Sequence, residues 1–349
     1  MGRRLDPNVI RGGLAFASGV ARRGTRVRTT TLGVTGPDVG VIGLGCMGMS
    51  YAYDTAAPRN DAASIGVIHR ALDLGMTLIE TADAYGPYTN EELVGRALSA
   101  GRRERAVLAT KVGFVIDQAA PAFVPPPSVN GRPEYIRASI DGSLRRLSTE
   151  YVDLYQLHRV DPGVPLEETW GAMAELVQAG KVRHIGLSAV TVDQIAAAQA
   201  VHPVTSVQSE FSLWTRDALD GVLPYCRQQG IAFLPYSPLG RGFLTGRFSS
   251  ADELPRDDVR RGLPRFQRDA LRANLAIVAR VRQIAERAGA TPAQVALAWL
   301  VAQGEQVVPI PGTKTLRYLE ENAVAGDLEL SAADIAELDA LPAPEGARV

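Results

Sequence analysis

Eight short runs rich in Val, Ile, Leu or Phe recur along the chain, at residues 41–46, 77–82, 106–112, 152–158, 184–189, 206–211, 231–236 and 306–311. Between them lie longer segments with apolar residues three and four apart, such as Ile65, Ile68 and Leu72, or Ile136, Ile140, Leu144 and Leu147. Strand-sized runs alternating with helix-period segments leave few architectures open. An unbroken βα rhythm of eight predicts an α/β protein of the (β/α)8 TIM-barrel class rather than an open doubly wound sheet. Thr191 and the pair Thr291-Pro292 read as helix starts, and Gly75, Gly180, Gly230 and Gly289 as helix stops. Before the first run, residues 27–33 and 39–42 flank Thr35-Gly36-Pro37, which predicts a β-hairpin closing the N-terminal end of the barrel. Two connections, 114–133 and 241–269, are long and proline-bearing. Both follow strands, so both are expected over the C-terminal mouth.

The rhythm spans residues 26–349 as a single barrel domain. Residues 1–25 carry Arg3, Arg4, Arg11, Arg22 and Arg23 against one acid, Asp6, and read as a disordered basic extension rather than an export signal. A net charge of -1 points away from nucleic acid and from anionic membranes. No apolar run approaches the roughly 18 residues of a membrane span. The two cysteines form no C-x-x-C pair and the four histidines have no close metal spacing, so no metal is expected. The expected setting is the cytoplasm.

Gly43-Leu-Gly45-Cys-Met-Gly48 spells G-x-G-x-x-G after a predicted strand. A dinucleotide fingerprint needs a helix opening at the third glycine and an acid about 20 residues on, closing the next strand. Neither is present here. The glycines instead allow close approach of a ligand at the mouth of the first strand, beside Gly45 and Met47.

Chemistry collects at successive strand ends. Thr77-Leu-Ile-Glu80 closes in a carboxylate, with Tyr85 five residues beyond; V-L-A-T-K closes in Lys111; D-L-Y-Q-L-H closes in His158. Each alone has a bland account as an ion pair or a satisfied core histidine. Four titratable groups at three consecutive strand ends are poorly explained as packing, because barrel strands are covered on both faces.

In this order and spacing, A-D-A-Y-G, A-T-K and Q-L-H-R resemble the aldo-keto reductase family of NAD(P)H-dependent barrel oxidoreductases, over residues 27 to about 341. The resemblance implies a catalytic set of Tyr85 as proton donor with Lys111, His158 and an acid at position 80. The family has aspartate there; this chain has Glu80, one methylene longer. It also implies reduction of small-molecule aldehydes or ketones to alcohols. A lysine ammonium would bring the tyrosine pKa down toward working pH, and the histidine would orient the carbonyl.

The resemblance extends to cofactor segments. Ser188 and Gln208 correspond to the nicotinamide carboxamide contacts, with Ala189 where the family has asparagine. Tyr236 corresponds to the ring that stacks on nicotinamide, and Ser237, Leu239, Gly240 and Gly242 to the pyrophosphate loop. Gly312, Thr313 and Lys314, with Glu321 and Asn322, correspond to the adenosine-phosphate segment. Lys314 favours NADP, while Tyr318 in place of a family arginine leaves NAD open. Tyr53, Tyr88 and Trp214 are expected to line the substrate mouth. The alternative is a nicotinamide-binding regulatory or sensor protein on the same barrel with little turnover.

Overall fold

The structure is a computed structural model that describes residues 26–51, 53, 59–116, 128–256 and 258–348. The expected extension over 1–25 lies outside these residues. Strands β1 (Thr29–Thr31) and β2 (Asp38–Gly40) pair antiparallel, Thr30 opposite Val39, as the hairpin pattern predicts. Seven parallel strands then follow in chain order around one sheet. They are β3 (Leu44–Gly45), β4 (Leu78–Glu80), β5 (Val107–Val112), β6 (Val152–Leu157), β7 (Val182–Ser188), β8 (Ser206–Glu210) and β9 (Ala232–Tyr236).

The alternating helices begin with α1 (Asp61–Leu74), α2 (Thr89–Leu98), α3 (Pro133–Leu147), α4 (Leu166–Gln178) and α5 (Val192–Gln199). They continue with α6 (Val222–Gln229), α7 (Arg268–Arg287), α8 (Pro292–Val301), α9 (Leu316–Val324) and α10 (Ala332–Asp339). Capping follows the sequence. Thr191 and Thr291 each close a capping box with a glutamine three residues on, and Gly75 and Gly230 end α1 and α6 in the left-handed conformation. After β3 the chain makes only a short 3-10 turn, Met47–Met49, so the G-x-G-x-x-G segment opens no α-helix.

The eighth run, 306–311, closes the barrel without forming a regular strand. Toward β9 it bonds in both directions: Phe233 N–H donates to Gln306, and Val308 and Ile310 donate back to Phe233 and Pro235. Toward β3 it only accepts, from Gly43 onto Pro309 and from Gly45 onto Pro311. Prolines at 309 and 311 have no N–H to return to β3, and Pro235 has none to give the segment from β9, which leaves isolated bridges at Gly45–Gly312 and Phe233–Val307.

Side chains alternate across a strand, and the barrel splits its core accordingly. Leu78, Ala109, Leu154, Leu234 and Val308 face inward and pack with Leu32 and Val39, which places the hairpin's apolar side chains against the barrel interior. Ile79, Leu108, Tyr155 and Phe233 face outward into the larger cluster shared with the helices. Two residues beyond an inward Leu78 is Glu80, beyond Ala109 is Lys111, and beyond Leu234 is Tyr236. Two steps of two beyond Leu154 is His158. Period-2 parity thus places all four polar side chains on the interior face at one end of the barrel. Among the described residues no helix is long and apolar enough to cross a membrane.

Candidate active site

Lys111 is fully buried at the inward end of β5. A buried ammonium is tolerated only when paired. Its Nζ donates to Glu80 Oε1, to Tyr85 Oη at 2.7 Å and to the Thr81 carbonyl at 3.1 Å. The longer glutamate arm therefore still meets the lysine. The same Oε1 lies 3.5 Å from Tyr85 Oη and accepts from Gln208 Nε2 at 3.3 Å, so one carboxylate oxygen gathers the lysine, the tyrosine and the glutamine. His158 stands edge-on to Tyr85, ring centroids 6.0 Å apart, and packs on Phe114 at 4.5 Å. The four groups expected from the strand ends are brought together.

Burial dominates their electrostatics. It pushes the Tyr85 phenol well above the usual tyrosine range; the Glu80 carboxylate adds to the rise and the Arg159 guanidinium opposes it. The expected fall in the Tyr85 pKa beside Lys111 is therefore not what this arrangement produces: desolvation and the carboxylate outweigh the Arg159 guanidinium. Burial also pulls the Lys111 ammonium down against the pull of Glu80. His158 is driven well below the ordinary histidine range by burial, then by Lys111 and Arg159, so the imidazole is neutral at pH 7. Its Nδ1 is buried without a partner among the described residues.

Ser188 is buried at the end of β7 and accepts from Arg159 Nη1 at 3.3 Å. Gln208 spends its amide donor on Glu80, as above. Ala189 follows Ser188 with φ +54°, and Ser237 follows Tyr236 with φ +49°. The loop continues through Leu239 to Gly240, Arg241 and Gly242, the last three consecutive at φ +57°, +56° and +91°. Left-handed residues in sequence form a tight backbone cradle of the kind that suits an anion, and strained non-glycine positions of this type cluster at functional sites. A Cβ on Gly240 would lie 2.9 Å from the Trp214 ring, which explains glycine there.

Beyond the closing segment, Gly312 bridges Gly45, and Met47 lies half-buried two residues past Gly45. Thr313 accepts from the Thr315 N–H at 3.1 Å, and Lys314 is exposed. Glu321 accepts from the helix-capping Thr291 at 2.7 Å, and Asn322 is buried. Tyr318, at the position of the family's arginine, has Arg247 over its ring at 4.7 Å and Arg317 at 6.0 Å. Positive charge is present at that position after all, supplied from the loop after β9 and from α9.

The three aromatic expectations separate. Tyr53 bonds the Arg241 side chain and lies under Arg260, 4.9 Å from its ring. Tyr88 is covered by Arg146 and lines a different cavity of about 210 Å3 with Asp83, Tyr135 and Ser139; none of Glu80, Tyr85, Lys111 or His158 lines it. Trp214 is buried in a ring stack with Phe243 at 4.1 Å. Among the described residues, no hydrogen bond or ring contact joins the side chain of Tyr88 or Trp214 to Glu80, Tyr85, Lys111 or His158.

Sequence reasoning missed several polar residues here. Glu210, inward two residues past Gln208, takes Arg241 at 3.3 Å and Arg348 of the C-terminal tail at 3.9 Å. Parity could have found Glu210; nothing in the sequence points to Arg348. Arg159 stands directly after His158 in Q-L-H-R, and its place in that motif is the signal that could have found it.

Comparison with known proteins agrees with this geometry. The family model described as "Aldo/keto reductase family" matches residues 41–343. The chain is 44% identical over 318 residues to "Probable aldo-keto reductase 1" of Glycine max, covering 91% of this chain and 90% of that one. The structure of a glycerol dehydrogenase from Gluconobacter oxydans superposes with a TM-score of 0.78 at 29% identity, covering 89% and 94% of the two chains. An aldo/keto reductase from Klebsiella pneumoniae, in complex with NADP and acetate, gives a TM-score of 0.68 at 28% identity, covering 91% and 97%.

Proposed function

The chain belongs to the aldo/keto reductase family of oxidoreductases, and from that premise we propose that it reduces aldehydes or ketones to alcohols with NADPH, Tyr85 giving the proton. The observation that carries this reading is the contact of Lys111 Nζ with Tyr85 Oη at 2.7 Å, inside a buried cluster closed by Glu80. The residues around the mouth fit a nicotinamide dinucleotide. The left-handed run Gly240-Arg241-Gly242 suits a pyrophosphate, Ser188 and Gln208 supply amide-sized hydrogen-bond partners, and the Gly312-Thr313-Lys314 turn, with Gly312 and Lys314 exposed, suits an adenosine phosphate. Lys314, with Arg247 and Arg317 at Tyr318, supports a 2′-phosphate and hence NADP over NAD. The Klebsiella relative binds NADP. When bound, the cofactor supplies hydride to the carbonyl carbon.

The protein side of the reaction follows from the cluster. As negative charge develops on the carbonyl oxygen, Tyr85 passes it the phenolic proton. Lys111, bonded to the same hydroxyl, stabilises the phenolate left behind. Glu80 keeps Lys111 charged and in place. His158, neutral, offers a hydrogen bond that orients the carbonyl without competing as an acid. Enclosure strengthens each of these interactions over its value in water.

The test is to titrate NADPH and NADH by protein fluorescence and then follow NADPH absorbance with a panel of aromatic and aliphatic aldehydes. We expect tighter binding of NADPH and turnover of several aldehydes. Tyr85→Phe should lower kcat by about 100-fold or more, in line with loss of a general acid, while leaving NADPH affinity within a few-fold. Tight NADPH binding with no turnover of any carbonyl would favour a sensor on the same barrel instead.

A further inference from the structure

Arg159 is the group at this site that no packing argument explains. It is half-buried directly after His158, and Nη1 donates to the His158 carbonyl at 2.5 Å and to Ser188 Oγ at 3.3 Å. The guanidinium lies 5.8 Å from the Phe114 ring, which itself packs on His158. Its field reaches Tyr85, Lys111 and His158, so it stands beside the reacting centre rather than on the outer face of the barrel.

Arginines taken out of water are normally matched by a carboxylate. Among the described residues Arg159 has none. Asp161, two residues on, accepts the Gly163 N–H at 2.8 Å on one oxygen and the Gly131 N–H at 2.9 Å on the other. Glu80 is taken by Lys111, and Glu210 is shared between Arg241 and Arg348. With Lys111 paired to Glu80 and His158 neutral, Arg159 is, among the described residues at these strand ends, a cation with no carboxylate partner. A substrate closing over it would take it further out of water, which is unfavourable unless that substrate supplies the anion. The cations at Tyr318 and in the 240–242 loop already answer to cofactor phosphates in the reading above, whereas Arg159 sits at the strand end that carries His158.

We infer that Arg159 is a specificity-determining residue that selects carbonyl substrates bearing a carboxylate or a similar anion a few atoms from the reacting carbon. This deepens the proposed reductase activity and rests on it. The guanidinium keeps N–H groups beyond the two bonds above, enough to meet a carboxylate while Nη1 holds Ser188 in place. A neutral analogue of the same shape leaves the charge unanswered and binds the mouth less well.

The test compares kcat/KM for two matched pairs: 4-carboxybenzaldehyde against methyl 4-formylbenzoate, and 4-oxobutanoate against its methyl ester. The wild-type enzyme should prefer the anionic member by about 10- to 100-fold, the range of a hydrogen bond to a charged group. Raising the salt concentration should shrink that preference. Arg159→Gln should bring the ratio to about one and Arg159→Lys should restore part of it. The readout is the ratio, in which any loss common to both members cancels. Equal kcat/KM for both members in wild type overturns the proposal without recourse to a variant, and so does a preference that survives in Arg159→Gln. Turnover of the esters alone would overturn it while leaving the reductase reading intact. No NADPH oxidation with any of the four would overturn both.

Discussion

Glu80 Oε1 lies within reach of Lys111, Tyr85 and Gln208 together, and this sets the acidity of the proposed proton donor. A carboxylate near a phenol favours the protonated form, and burial works in the same direction. Aldehyde reduction requires the phenol and alcohol oxidation the phenolate. With the Tyr85 pKa held well above its usual 10.0, kcat/KM for reduction should show no loss from phenol ionisation up to about pH 9. Alcohol oxidation should rise with pH over the same range. Glu80→Asp withdraws the carboxylate by one methylene and should bring the alkaline limb of the reduction profile downward. A wild-type reduction profile that already falls below about pH 9 would contradict this account. The residue identities of the cluster were legible because period 2 carries inward apolar positions straight into Glu80, Lys111 and His158. Their acidities were not: those depend on desolvation and on Arg159, whose direction a linear sequence does not give.

At the scale of elements, helices and strands follow from punctuation and periodicity, including both threonine capping boxes and the hairpin. The loops after strands are where sequence reading thinned. Trp214 reads as a loop aromatic beside a mouth, but it is stacked on Phe243 and pressed against Gly240, a contact between two separate loops. Position 189 offers a test at this scale. Ala189 is exposed and held at φ +54°, a region that costs an alanine about 1 kcal/mol and that asparagine tolerates better. Ala189→Asn should leave the thermal midpoint unchanged or slightly raised. It should also tighten NADPH binding about fivefold, the value of one recovered hydrogen bond. Differential scanning fluorimetry and a fluorescence titration check the two parts; weaker binding would mean that the β7 loop does not face the carboxamide.

The whole molecule adds contacts that span most of the chain. Arg216 holds the tail through the carbonyls of Asp339 and Leu341, and Asn274 clasps the backbone of Glu345 from both sides. The tail then delivers Arg348 to Glu210. Such return paths leave no local signature, which is why only the two long loops were expected over the mouth. The one-way hydrogen bonding between β3 and the proline-bearing closing segment has a consequence for how the barrel breathes. A cylinder zipped firmly around most of its circumference opens first along its weakest row of bonds. Amide hydrogens of Gly43 and Gly45 should therefore exchange with deuterium sooner than those of Leu154 or Tyr155 on the two-way ladder. Gly45 and Gly312 face each other across that row and belong to the proposed dinucleotide cradle. A dinucleotide held there would act as a clasp across the slit. At about 100 times its Kd, NADPH should slow exchange at Gly43 and Gly45 by up to about 100-fold, with little change on the opposite wall.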